Sequence, residues 1–248
     1  MLAIIGGTGL TQLPDLEITR RQVMRTPYGE PSGALTFGKI HNHEVVFLAR
    51  HGYGHTIAPH EVNYRANLWA LHSAGVGSVI AVNSVGGIHP DLTPGAVAIP
   101  EQIIDYTHGR KSTYFEGSDK PVTHVDFTHP YSEDLRARLI QAAQNSAVPI
   151  VPGGVYAAVQ GPRLETLAEI NRLERDGASM VGMTGMPEAA LARELGLSYA
   201  ALAVVSNSAA GRGASLDAVH LDTIHTALDA GMAKVRNIIE QVVNSSGG

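Results

Sequence analysis

Cysteine is absent from the chain, which excludes disulfides, thiolate-bound metals and a cysteine nucleophile. Cations are sparse as well: 18 Lys and Arg stand against 23 Asp and Glu, a formal net charge of -5. With no dense Lys/Arg run, nucleic acid is not an expected partner, because binding a phosphate backbone needs clustered cations. No apolar run approaches the roughly 18 residues of a membrane span. The opening LAII is too short for the apolar region of a signal peptide and has no basic segment before it, so the expected setting is the cytoplasm, away from membranes. What is present is ordinary globular material. Apolar residues make up 44% and charged residues 17% of 248 positions, enough to bury a substantial core. No composition break, repeat or low-complexity linker divides the chain, so one domain over residues 1–248 is expected.

Short apolar runs alternate with helical patterns. Strands are expected at Leu2–Ile5, Glu44–Ala49, Ser78–Ala81, Ala96–Ile99, Gly154–Val159, Met180–Met183 and Tyr199–Val205. Helices are expected at Glu61–Ala74, Glu133–Asn145, Thr166–Asp176, Pro187–Leu195 and Asp217–Val243. This order predicts an α/β fold, a mixed and mostly parallel sheet flanked by helices. In EVNYRANLWALHSAG, Val62, Ala66, Trp69 and Ser73 share a face of period 3.6, closed by Gly75. In PEAALARELG, Pro187 suits a first helical turn and Gly196 a C-terminal stop. Thr107–His129 has no clear pattern, and long irregular segments are usually functional or cover an interface.

The first strand runs into GGTGL. A Rossmann fingerprint fails there, because with Gly7 and Gly9 as its first pair the third glycine position falls on Gln12. A Walker A loop fails too, for want of Gly-Lys-Ser/Thr. A tight loop with exposed N–H groups and the Thr8 hydroxyl suits one small oxyanion; alone, it reads equally well as a plain turn. LARHGYGHTIAP then carries Arg50, His51, His55 and, further on, His60 after a strand. HxxxH binds zinc when a helix brings i and i+4 together, but Gly52, Gly54 and Pro59 disfavour a helix, and no metal is expected. Arg50 suits an oxyanion clamp, being planar, permanently charged and bidentate; the competing reading is a surface salt bridge. VNSVGGIHP offers Asn83 and Ser84. VQGPRLETLAE offers Glu165, with Thr166 suited to a helix cap. VGMTGMPEAALA sets Met183 and Thr184 before a helix N-terminus, a position that favours anions. Met183 alone fits core filling better. Ligands of α/β folds gather at the carboxyl ends of strands, and five such clusters argue for a site.

The segments IIGGTGL, LARHG with HTI, VNYRAN, PGAVAIPEQIIDYTHGR, GPR with ET and AE, and MPE with LARE resemble the purine nucleoside phosphorylase and methylthioadenosine phosphorylase family, from about Ala3 to Ile239. The resemblance implies phosphorolysis, in which inorganic phosphate attacks the sugar C1′ of a purine nucleoside and releases the base and a ribose 1-phosphate. It implies phosphate contacts from Thr8, Arg50, His51, the Asn83–Ser84 backbone and Thr184, with Met183 against the ribose. A homotrimer is implied, with His124 reaching a neighbouring subunit's site. Purine nucleoside and phosphate are then the partners, phosphate as co-substrate, and no metal or organic cofactor is called for. A fixed phosphate dianion beside C1′ would stabilise an oxocarbenium-like transition state.

Two positions bear on the base. Methylthioadenosine phosphorylases carry Asp-x-Asp after the strand that here reads AVVSNSAAG, whereas this chain has Asn207 and Ala209. Family members acting on hypoxanthine and guanine nucleosides carry an Asn there and a Glu at the position of Glu165. These two are the expected catalytic residues. Asn207 can donate to O6 and accept the N7 proton, while ionised Glu165 accepts from N1–H. Adenine inverts that pattern, and a mismatched buried polar site discriminates by up to about 10⁴-fold. At the sugar end, nucleoside phosphorylases place a His where ungapped counting from Asn207 reaches Leu221, with His220 one residue earlier. Leu221 and Ile224 would form an apolar pocket for a 5′-methylthio group, worth about 0.8 kcal/mol per buried CH₂; a one-residue shift would admit His220 and favour inosine and guanosine. GGTGL and RHG lie closer to the methylthio branch, so 5′-methylthioinosine is the expected substrate, within purine salvage. Inosine/guanosine or methylthioadenosine are the alternatives, and a nucleoside hydrolase or nucleoside-binding protein would be indifferent to phosphate. Leu164 stands where the family usually has Phe, so the aromatic stack on the purine is weakened or supplied elsewhere.

Overall fold

A computed structural model of the chain describes residues 1–118 and 121–245, the side chains of Leu221 and Thr223 excepted. The apolar runs form the middle of a ten-stranded sheet. Its strands are β1 (Leu2–Gly6), β2 (Glu17–Gln22), β3 (Leu35–Ile40), β4 (His43–Ala49), β5 (Ser78–Gly87), β6 (Val97–Ala98), β7 (Gln102–Asp105), β8 (Val155–Ala158), β9 (Met180–Gly182) and β10 (Ser198–Ser208). Five helices accompany them: α1 (Tyr64–Ser73), α2 (Glu133–Asn145), α3 (Leu167–Arg175), α4 (Gly185–Glu194) and α5 (Leu221–Asn244). The strand order is β2-β3-β4-β1-β5-β9-β8-β7, and β10 pairs with β5 and β6.

Parallel pairing joins β1 to β4 and β5, β10 to β5, β8 to β7 and β9; the other pairs are antiparallel. The mixed α/β sheet expected from the sequence is therefore present. β1 is buried on both faces, which is why it reads as an unbroken apolar run rather than an alternating one. Its Ala3 and Ile5 pack with α1 and α4 residues such as Leu68, Leu71 and Ala189. Ile4 faces the opposite layer, with Leu135 and Leu139 of α2 and Val235 and Ile239 of α5. β5 and β10 are the longest strands and run side by side, with a register shift between Val205 and Asn207. They carry Asn83, Ser84 and Asn207 towards the carboxyl edge.

Three strands escape the sequence pattern. β2 (EITRRQ) is exposed along its whole length and charged, as suits a sheet edge. β3 is interrupted by Gly38, and β7 has only four residues. α1 begins later than expected because Asn63 caps it, accepting from Ala66 N at 3.1 Å. Its buried face runs through Tyr64, Asn67, Leu68 and Leu71, while Ser73 is exposed. Asn67 fits that face because its amide bonds Ser32, accepting from Ser32 N at 2.8 Å and donating to Ser32 Oγ at 3.0 Å. In α4, Met186 is extended (φ -120, ψ 141), so the regular helix starts at Pro187 as its sequence suggests. The described residues of Thr107–His129 contain no helix or strand. Glu194 ties that segment down, accepting from Thr113 Oγ1 and Tyr114 N, both at 2.7 Å.

Close packing at the end of β9 gives one test. A Cβ on Gly182 would lie 2.1 Å from the hydroxyl of buried Tyr156. Gly182→Ala is expected to cost on the order of 1–3 kcal/mol, seen as a lower urea midpoint with unchanged slope. A parental midpoint would show that the strand end yields.

Candidate active site

The carboxyl ends of the strands open on a cavity of about 470 Å³. Thr8 follows β1, Arg50 and His51 follow β4, Ser84 lies in β5, Met183 and Thr184 follow β9, and Asn207 lies near the end of β10; each lines the cavity. So do Glu165, from the loop between β8 and α3, and Ile224 of α5. Two expected residues lie elsewhere. Asn83 is buried behind the wall, its Nδ2 donating to Thr184 Oγ1 at 2.9 Å. Ala209 is 1% exposed and packs beneath the cavity with Ile88 and Val181; its backbone N–H is spent on Gly87 O at 2.8 Å. Of the described α5 side chains, Ile224 lines the cavity, whereas His220 at the helix N-cap does not. The side chain of Leu221 lies outside the described residues. His124 is exposed, in the irregular segment.

Arg50 is fully buried. Its Nε and Nη2 donate to Glu188 Oε2 and Oε1 at 2.7 and 2.8 Å, and Nη1 donates to Val82 O at 2.9 Å. A guanidinium has five N–H groups, so two remain after these bonds. Burial alone would weaken its proton affinity, but Glu188 more than offsets that and raises the pKa. Gly7 is small because the guanidinium is close: a Cβ there would meet Val82 O at 2.6 Å and Arg50 Nη1 at 2.8 Å.

His51 Nδ1 lies 2.8 Å from Ile57 O. A carbonyl only accepts, so Nδ1 carries the proton and neutral His51 offers Nε2 as an acceptor. Burial, then Arg50, then His55 lower its pKa to about 4 against the opposing Ile57 bond. The His51–His55 stretch is a series of turns, not a helix, with the two rings 4.8 Å apart. Among the described residues no group of three or more His, Cys, Asp or Glu could hold a metal ion.

Asn207 is held by its strand neighbours. Its Nδ2 donates to Ser208 O at 2.8 Å and its Oδ1 accepts from Ser206 Oγ at 2.7 Å. Because a backbone carbonyl can only accept, the amide orientation is fixed, leaving one N–H and one lone pair for a ligand. Half-buried Glu165 has its pKa raised by burial and by Glu169, against its own backbone N–H and Arg163. The loop carrying it is fixed at Thr166, which caps α3 in a capping box with Glu169. Glu169 also receives both Arg163 nitrogens, at 2.8 and 2.7 Å.

Residues 1–244 match the family described as the phosphorylase superfamily. The chain belongs to that superfamily. A protein of Pseudomonas syringae pv. tomato named probable S-methyl-5'-thioinosine phosphorylase is 53% identical, over 98% of each chain. The 6-oxopurine nucleoside phosphorylase of Pyrococcus furiosus is 47% identical over 85% of this chain and 80% of its own. Among solved structures, methylthioadenosine phosphorylase from Schistosoma mansoni in complex with adenine superposes with a TM-score of 0.94 at 33% identity, covering 99% of this chain and 91% of that one. The chain is an enzyme of the purine nucleoside phosphorylase type, a pentosyltransferase.

Some parts of this phosphorylase site carry no local sequence signal. Glu188 sits in the first turn of a helix, where a carboxylate reads as a complement to the helix dipole. Ser206 lies inside an apolar strand. Arg110, in the patternless segment, gathers backbone carbonyls from two site-bearing loops: Met183 and Met186 at 2.8 and 2.6 Å, and Val159 and Gln160 at 3.3 and 2.9 Å. The family motifs held the only hints, IIDYTHGR for Arg110 and MPE for Glu188.

The depressed His51 pKa has a consequence for the phosphorylase fold. The unfolded chain takes up this proton near pH 6.5 and the folded one only near 4. Stability is therefore expected to fall as pH drops through that window, by up to about 1.4 kcal/mol per pH unit from this group. Urea titrations of parent and His51→Gln check this; an unchanged slope in the variant would remove His51 as the source.

Proposed function

We propose that this phosphorylase cleaves S-methyl-5'-thioinosine with inorganic phosphate, giving hypoxanthine and 5-methylthioribose 1-phosphate. The observation that carries this reading is the fixed Asn207 amide sharing one cavity with Glu165. The spare Asn207 N–H suits the O6 of a 6-oxopurine, its Oδ1 suits a protonated N7, and Glu165 suits N1–H. Adenine offers an amino donor at C6 and a bare N1 against the carboxylate, so it fits these readers poorly. Ile224 in the cavity wall supports an apolar 5′ pocket. Leu164, which also lines the cavity, supplies apolar cover in place of an aromatic ring. The names of the Pseudomonas and Pyrococcus relatives agree with a 6-oxopurine base.

Phosphate takes donors from the Thr8 and Thr184 hydroxyls and from the two remaining Arg50 N–H groups, with Ser84 beside them. Asn83 donates to Thr184 Oγ1, which turns the hydroxyl proton towards the anion. Neutral His51 accepts at Nε2 from the one O–H of hydrogen phosphate. A phosphate oxygen then attacks C1′ as the C1′–N9 bond breaks, and the bonding electron pair leaves with the purine, which takes a proton at N7 from water, while the hydrogen phosphate gives up its O–H proton to solvent and leaves as the sugar phosphate dianion. Asn207 favours that departure because its bond to O6 strengthens as charge moves onto the base, while Glu165 orients the base through N1–H. Met183 lies against the ribose. No metal or organic cofactor is assigned. The enzyme is assigned to purine salvage in the cytoplasm, as a homotrimer in which His124 approaches a neighbouring subunit's site.

Base release from 5′-methylthioinosine, inosine and 5′-methylthioadenosine, each with and without phosphate, tests the reading. Phosphate-dependent release, fastest from methylthioinosine, is expected; fastest release from methylthioadenosine would overturn the base assignment, and phosphate-independent release the reaction class. Asn207→Asp is expected to lower kcat/KM for methylthioinosine on the order of 10²-fold, and unchanged selectivity would remove Asn207 from base reading. Arg50→Lys is expected to raise the KM for phosphate about tenfold, since an ammonium cannot replace the planar fork; an unchanged KM would take Arg50 out of the phosphate site.

A further inference from the structure

Glu188 is fully buried and does not line the cavity, yet its carboxylate holds the arginine that does. Oε2 accepts from Arg50 Nε at 2.7 Å, and Oε1 accepts from Arg50 Nη2 at 2.8 Å and from Tyr199 Oη at 2.9 Å. The guanidinium is planar, so a two-point contact on one edge, with Val82 O on Nη1 at 2.9 Å, leaves it no rotation. Among the described side chains, Glu188 is the one whose bonds to Arg50 set the directions of the two remaining N–H groups. Tyr199 is itself wedged, its ring stacked on Tyr131 at 6.1 Å and 13°, so the carboxylate is braced from behind.

We propose that Glu188, braced by Tyr199, is a positioning residue for phosphate: it sets the direction of the Arg50 N–H groups and thereby phosphate affinity, without touching phosphate or nucleoside. This rests on the assignment of Arg50 to the phosphate site. Two effects of Glu188 oppose one another. Its negative charge lowers the attraction of the pocket for an anion, while its geometry aims the donors. The proposal is that geometry prevails, because the donors lose alignment when the fork turns and a displacement near 1 Å can cost up to about 10²-fold in rate.

Two substitutions separate charge from geometry. Glu188→Asp keeps the charge and withdraws the carboxylate by one methylene. Glu188→Gln keeps the length but turns one acceptor into a donor facing Arg50. Both are expected to raise the KM for phosphate about tenfold while the KM for nucleoside stays within about twofold, a split that a general loss of structure would not produce. A parental phosphate KM in Glu188→Asp, or a lowered one in Glu188→Gln, would overturn the proposal in favour of a role for charge alone. Should both variants fail to fold, Tyr199→Phe removes only the brace; a rise of a few-fold in phosphate KM is expected, and no change overturns the proposal. Arg50→Lys, run in parallel, tells the two readings apart. If its phosphate KM is unchanged, the phosphate assignment falls and the proposal with it. If that KM rises while the Glu188 and Tyr199 variants keep parental values, only the positioning role falls.

Discussion

A single buried ion pair ties the parts of this enzyme together. Neither Arg50 nor Glu188 has any exposed side-chain surface, and neither could be buried alone, because an uncompensated charge in the interior costs several kcal/mol. The pair joins the end of β4 to the first turn of α4, and the third guanidinium bond reaches β5 through Val82. Gly7 packs directly against it, so the end of β1 is shaped by the same group. Buried ion pairs add little net stability compared with apolar packing of similar volume. Their contribution is geometric: the ends of β1, β4 and β5, which bring side chains to the cavity, are fixed relative to one another and to α4, which follows Thr184. Tyr199 and Tyr131, whose hydroxyls burial keeps far from ionising, complete the surroundings without adding charge.

The same economy governs the rest of the cavity wall. The polar groups there are anchored by neighbouring partners, most of which do not line the cavity. Asn207 leans on the serines either side of it, Thr184 on Asn83, and the Glu165 loop on the Thr166 and Arg163 contacts to Glu169. Such anchoring leaves each group in place with its remaining donor or acceptor open. That is the condition under which polar contacts discriminate between substrates and stabilise developing charge.

The central parallel strands were legible because strands covered on both faces must be apolar throughout, and the residues just after them stood out as glycines, cations and hydroxyls interrupting those runs. Thr8, Arg50, His51, Thr184 and Asn207 announced themselves in that way, and family motifs added roles to them. β2 could not be read from its own residues, since an exposed edge strand needs no apolar alternation; its pairing with β3 is what defines it. Glu188 and Arg110 were missed for a different reason. Their meaning lies in contacts made far along the chain, 138 positions away for the Arg50 pair, and neither position stands out from its neighbours. Ala209 shows the reverse case: comparison with family motifs put it at the base, whereas just past β10 it is buried in an apolar cluster with Ile88 and Val181 and does not line the cavity.

Arg110 links the patternless stretch after β7 to the architecture of the cavity. Its guanidinium satisfies four backbone carbonyls that belong to the segments after β8 and β9, although none of the described residues of the stretch that carries it lines the cavity. Detachment of that stretch would strip both loops of these partners at once, so the three are expected to open together. A ligand that steadies the loops is therefore expected to slow amide exchange around Arg110 as well.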